Sequence, residues 1–152
     1  MKVEYNNLYT HFVFTTLNRM PVIIEKNRQR IEKYMTGIVK NSACHLYAIY
    51  ANPEHVHFLV SRSPGMDEES LATAIADSSE RFINDNKLCI GLFQWQQTCS
   101  AFSVSKADVT KVCNYIYNQK AHHSKQNYDE EYAAFIKFYQ QTISKKEQHD
   151  GE

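Results

Sequence analysis

The apolar periodicity of the chain switches between two and 3.6 residues, and the order of the switches limits the folds open to it. Leu8 to Thr16 is rich in β-branched and aromatic residues and reads as a strand. Ile31, Tyr34, Met35, Ile38 and Val39 then fall on the i, i+3, i+4, i+7, i+8 stripe of one helical face. His45 to Ala51 reads as a second strand, Asn52-Pro53 as a turn and His55 to Ser61 as a third strand, so the two strands are expected to form a hairpin. Pro64-Gly65 breaks the chain, and Asp67, Glu68 and Glu69 suit the positive end of a helix dipole. Leu71, Ile75, Ser78, Ser79 and Phe82 continue that helix. Phe93 to Gln96 and Ala101 to Val104 read as extended. Ser105 with Asp108 fits a capping box, predicting a helix through about His123. A short helix over about Asp129 to Gln140 and a polar tail, Ser144 to Glu152, complete the chain.

This β-α-β-β-α-β order is that of split βαβ sheets. The expected class is α+β: a ferredoxin-like or RRM-like sandwich, an antiparallel sheet with helices on one face. At 152 residues the chain suits one domain, and 43% hydrophobic against 22% charged residues suits a packed core rather than disorder. No run approaches the ~18 apolar residues of a membrane-spanning helix. Met1 to Asn7 lacks the apolar stretch of a signal peptide, so a cytoplasmic protein is expected. Lys plus Arg and Asp plus Glu each number 17. This balance excludes a broadly basic nucleic-acid coat but allows a local basic strip. Cys44, Cys89, Cys99 and Cys113 form no Cys-x-x-Cys pair and read as reduced thiols.

Glu54-His55-Val56-His57 is the most informative segment. On a strand His55 and His57 share a face with Leu59, while Val56, Phe58 and Val60 fill the other. Two imidazoles about 7 Å apart along a strand can converge on one metal ion. They are too few for a structural zinc site, and an incomplete sphere leaves room for water or a phosphate oxygen. They can equally be two polar residues on an exposed strand face. In the penultimate helix Val109, Val112, Cys113 and Ile116 cluster as a core face, and Tyr115 and Gln119 are i, i+4 neighbours on its flank. Tyr117 lies about 160° from Tyr115. A phenol of pKa near ~10 is about one part in a thousand ionised at pH 7. Attack on a phosphodiester therefore needs a polarising metal and in-line placement. The Gln119 carbonyl is a candidate third ligand, and the mixed nitrogen and oxygen set is compatible with Mg2+ or Mn2+.

Several segments carry a family resemblance together: Thr10 to Thr16, Asn52 to Val60, Ser78-Ser79, Phe93-Gln94-Trp95, Ala101 to Ser105, Tyr115 to Gln119 with His122-His123, and Glu130-Glu131-Tyr132. In this order and spacing the chain resembles the single-tyrosine HUH transposases of bacterial insertion sequences, including their repeat-associated relatives. The resemblance implies a single HUH domain over residues 1–143, with 144–152 as tail. It implies His55 and His57 as the metal pair, Gln119 as the ligand completing the site, and Tyr115 as the nucleophile. The implied activity is cleavage and rejoining of single-stranded DNA, commonly at hairpin-bearing element ends, through a 5′-phosphotyrosine. A homodimer with composite active sites is implied as well. Arg19, Lys106 and Lys111 are candidate phosphate contacts. Asp77 and Glu80 flank the paired serines where relatives often carry a lysine. The alternative functions are a non-catalytic RRM-like module binding single strands on its sheet, and a metal hydrolase for small phosphoesters.

Overall fold

The computed structural model describes residues 1–123, 129–131, 133, 134 and 137. Residues Met1–Tyr117 form one compact unit, and a second begins at Asn118.

The first unit is built on four antiparallel strands, β1 (Tyr9–Thr15), β2 (His45–Ala51), β3 (His55–Ser61) and β4 (Ser100–Val104), in the order β2-β3-β1-β4. The ferredoxin-like arrangement expected from the element order is thus formed. In register, Phe12 faces Phe58, Phe14 faces Val56, Val13 faces His57 and Thr15 faces His55. Alternation along each strand then assigns two faces. Phe12, Phe14, Val56, Phe58 and Val60 point to the side covered by α1 (Glu25–Asn41) and α2 (Glu68–Asp85), where Ile31, Met35, Val39, Leu71, Ile75 and Ile83 complete the main core. Tyr34, on the predicted stripe, stacks on Phe82 of α2 with ring centroids 3.8 Å apart. Asp67 caps α2 by accepting the Ser70 N–H at 2.7 Å. That bond and the Ser70 hydroxyl hold its carboxyl below the usual range.

Phe93 to Gln96, expected as extended, adds a single bridge between Thr16 and Trp95 rather than a strand. Side chains of α2 hold it instead. Asn84 accepts the Phe93 N–H at 2.7 Å and donates to the Phe93 carbonyl at 3.0 Å, and Glu80 accepts the Trp95 N–H at 2.9 Å. Trp95 is a core residue, 5% exposed, set edge-on against Phe14 and Phe93. Its indole N–H donates to the Ser79 hydroxyl at 2.9 Å, which donates onward to the Ile75 carbonyl at 2.6 Å. A buried indole N–H needs an acceptor, and Ser79 on the inner face of α2 supplies it.

The helix predicted from Ser105 to about His123 is in three pieces. A 3-10 turn, Lys106–Asp108, leads into α3 (Val109–Tyr117), and α4 (Gln119–His123) follows the break at Asn118. At the first junction the Ser105 carbonyl accepts the Asp108 N–H, and the Ser105 hydroxyl donates to the Asp108 carboxylate, so the expected box closes a 3-10 turn. At the second, asparagine is a weak helix former because its amide competes for backbone partners. Of the helix expected over Asp129 to Gln140, residues 129–131, 133, 134 and 137 are helical. The rest, and the tail Ser144 to Glu152, lie outside the described residues.

Ser79→Ala leaves the Trp95 N–H buried without its acceptor, and stability should fall by about 1–3 kcal/mol. Trp95 is the sole tryptophan, so urea unfolding followed by its fluorescence reads the shift in midpoint directly.

Candidate active site

The second face of the sheet carries His11 on β1 and His55, His57 and Leu59 on β3. Against it lies α3. Ile116, fully buried, packs with Ala48, Leu59 and Val104, and Val109, Val112 and Cys113 flank that cluster. This is the apolar stripe read from the sequence. It occupies the sheet face that an RRM-like stacking platform leaves open to bases.

Both histidines are buried, His55 at 0% and His57 at 2% exposure, so neither is the exposed polar residue of the simpler reading. Their ring centroids lie 4.9 Å apart, nearer than the strand rise alone would place them. The hairpin turn fixes their surroundings. Thr16 donates its N–H to the Glu54 carbonyl at 2.9 Å, and its hydroxyl to the Met20 carbonyl at 2.8 Å, tying the end of β1 to the turn before β3. The Asn52 N–H donates to the His55 carbonyl at 2.8 Å.

Side chains from the same turn set the protonation of His55. Its Nδ1 lies 3.0 Å from Glu54 Oε1 and its Nε2 lies 3.3 Å from Asn52 Nδ2. A carboxylate accepts and an amide NH2 donates. The pairing is satisfied when Nδ1 carries the proton and the Nε2 lone pair accepts the Asn52 N–H, a neutral tautomer oriented by a carboxylate whose Nε2 can ligate a cation once Asn52 gives way. The Nδ1 of His57 lies 2.9 Å from Nε2 of His11. Two buried imidazoles on one face, each hydrogen-bonded at Nδ1, are a donor pair of the kind that holds a divalent cation when both Nε2 lone pairs are free of a proton.

Tyr115, half-buried on α3, sets its ring edge-on to His57 with centroids 5.9 Å apart. Tyr117 diverges as the helical angle requires: it is 58% exposed, and its hydroxyl donates to the Tyr47 carbonyl at 3.1 Å. Cys113, which flanks the Ile116 cluster, has its thiol pKa raised by burial. Tyr50, opposite His57 on β2, is raised by burial, with the Arg28 guanidinium 4.6 Å from its ring centroid acting the other way.

Gln119 opens α4 in the second unit and is fully buried. It and Tyr115 stand on different helices, so the i, i+4 relation that paired them in the sequence is not formed within one helix. Arg19, Lys106 and Lys111 are all exposed. Arg19 follows β1 at the His55 end of the sheet, on a left-handed backbone with φ 53°. Lys106 follows β4, whose Val104 pairs with Tyr9 at the opposite end of β1. By strand rise those ends are about 20 Å apart, so these two cations do not form one compact strip. In the sequence His11 lies within the first strand and Asn52 in the turn before the third, and neither position by itself points to the site. Alternation does place His11 on the histidine face, but its partner comes from β3, 46 residues away.

The chain matches the family model described as IS200-like transposase over residues 4–119. It belongs to that family, whose members are DNA-processing enzymes. Two solved structures share the fold. One is a candidate transposase from Deinococcus radiodurans R1, 20% identical, with a TM-score of 0.60 over 76% of this chain and 92% of that one. The other is a REP-associated tyrosine transposase bound to a REP hairpin, 17% identical, with a TM-score of 0.60 over 81% of this chain and 72% of that one. The curated proteins give no match. Among the described residues no helix is long and apolar enough to cross a membrane.

Ile116 is the buried anchor of α3. Ile116→Ala should lower stability by about 2–5 kcal/mol, read by denaturant unfolding. Tyr117→Phe, which removes only an exposed hydrogen bond, should stay within about 0.5 kcal/mol of the parent.

Proposed function

We propose that the protein is a metal-dependent transposase that cuts and rejoins single-stranded DNA through Tyr115, acting as a single domain of residues 1–143. In this reading His55, His57 and Gln119 hold a Mg2+ or Mn2+ ion. The observation that carries it is the placement of the Tyr115 ring beside His57 on the face that also holds His55. Family membership over residues 4–119 supports it. The relative bound to a REP hairpin supports a hairpin-bearing single strand as the substrate.

The divalent ion would withdraw charge from the scissile phosphate and stabilise its transition state by several kcal/mol. The chain supplies the rest. Glu54 and Asn52 keep the proton of His55 on Nδ1 and the lone pair on Nε2, so ligation would displace the Asn52 N–H but release no proton from that ring. The α3–β3 packing holds the phenol near the metal pair, which reduces the entropy cost of alignment. Tyr115 Oη forms the bond to phosphorus as the bond from phosphorus to the 3′ oxygen breaks, and the phenolic proton ends on that departing oxygen. The 5′-phosphate remains as a phosphotyrosine. A second 3′-hydroxyl reverses the exchange, so the number of phosphoester bonds is unchanged and no ATP is required. Arg19, Lys106 and Lys111 are the proposed phosphate contacts.

Incubation with Mn2+ and a hairpin-bearing single strand should give a covalent protein–DNA adduct on denaturing gels. Tyr115→Phe should abolish the adduct, Tyr117→Phe should keep it, and EDTA or His57→Ala should remove it. Full adduct formation by Tyr115→Phe overturns the assignment. Turnover of a nucleotide monomer without any adduct favours the hydrolase reading.

The proposal includes a homodimer with composite sites. Mixing His57→Ala with Tyr115→Phe protein should then restore adduct formation that neither shows alone. No restoration would place the whole reaction within one chain.

A further inference from the structure

His11 has no part in the chemistry proposed above, yet it is wholly buried and bonded to a proposed metal ligand. Its Nε2 lies 2.9 Å from His57 Nδ1, with ring centroids 5.1 Å apart, and Phe102 of β4 stands 6.1 Å from it on the other side. A buried polar ring on a central strand is costly unless it is hydrogen-bonded. A leucine or phenylalanine would fill the same space without that requirement.

The two directions of this bond have opposite consequences. If His11 donates, His57 accepts at Nδ1, must carry its proton on Nε2, and cannot ligate there. If His57 donates from Nδ1, the lone pair stands on Nε2, as the partners of His55 arrange for that ring. We propose that His11 is a positioning residue for the metal site: it accepts the Nδ1–H of His57 and so fixes the tautomer and rotation in which His57 Nε2 binds the cation. The two ligands are then anchored alike, His55 by the Glu54 carboxylate and His57 by a neutral imidazole. This inference rests on the metal-dependent reading of the site.

Two measurements test it, neither of which uses activity. In the metal-free wild-type protein, nitrogen-15 NMR of the histidine rings at pH about 8 should show His57 neutral and protonated at Nδ1. Protonation at Nε2 would overturn the proposal. Second, Mn2+ affinity is measured by calorimetry on the full chain. His11→Phe keeps a ring of similar size without an acceptor, and should weaken Mn2+ binding by about 10–100-fold. His11→Gln, whose amide oxygen can accept the same N–H, should stay within about 3-fold of wild type, since it preserves the bond on which the effect depends. Circular dichroism confirms that each variant is folded. Unchanged Mn2+ binding by folded His11→Phe, or an equal loss in His11→Gln, overturns the role of His11 and leaves the metal reading intact. Absence of saturable Mn2+ binding by the wild type overturns both.

Discussion

The pleat of β3 is the constraint from which the rest of the structure follows. Its seven residues are held between β1 and β2, so every side chain has an assigned face. Val56, Phe58 and Val60 enter the main core, while His55, His57 and Leu59 face α3. A slip of one residue would place both imidazoles among Phe12, Phe14 and Ile75 and turn three large apolar groups toward the tyrosine helix. The apolar load on one side therefore fixes the register that makes the polar pair usable on the other. Phe12 stacked on Phe58 at 5.2 Å and Phe14 edge-on at 4.9 Å show how closely that load is fitted.

Much of this was legible in the sequence because period and composition agree. The bounds of β2 and β3 follow directly from alternation and the Asn52-Pro53 turn. The stripe Val109, Val112, Cys113 and Ile116 reads as a core face because only one side of α3 is apolar. What was not legible is non-local or depends on a single weak residue. Near Asn118 no proline or glycine marks a stop, and the helix propensity of asparagine is only modestly low, so the break between α3 and α4 leaves no clear signal in the sequence. The segment around Trp95 looks like a strand, yet its backbone is held mainly by Asn84 and Glu80 of α2. The partnership of His11 with His57 needs the β1–β3 register, which composition does not reveal.

The motifs that carried the resemblance divide into supporting parts and candidate working parts. Ser79 and Trp95 are joined by a buried hydrogen bond and contribute to the core. Thr16 ties β1 to the turn that presents His55. Glu80, next to the paired serines, accepts the Trp95 N–H, so its carboxylate has a structural use in this chain. The neutral charge balance has a corresponding spatial expression: the candidate phosphate contacts Arg19 and Lys106 stand at opposite ends of β1 rather than in one strip.

Tyr115 is two residues from the end of α3, a helix of nine residues in which only Ile116 is fully buried. The carbonyls of the last four residues of a helix have no partner further along it. Helix ends as a rule open through small local fluctuations, whereas the centre of a strand paired on both sides, as β3 is, opens only with much of the sheet. The phenol is thus mounted on backbone that opens at low cost, and the imidazoles on backbone that does not. Small excursions of the tyrosine relative to the histidine pair can therefore occur without unfolding the sheet beneath it.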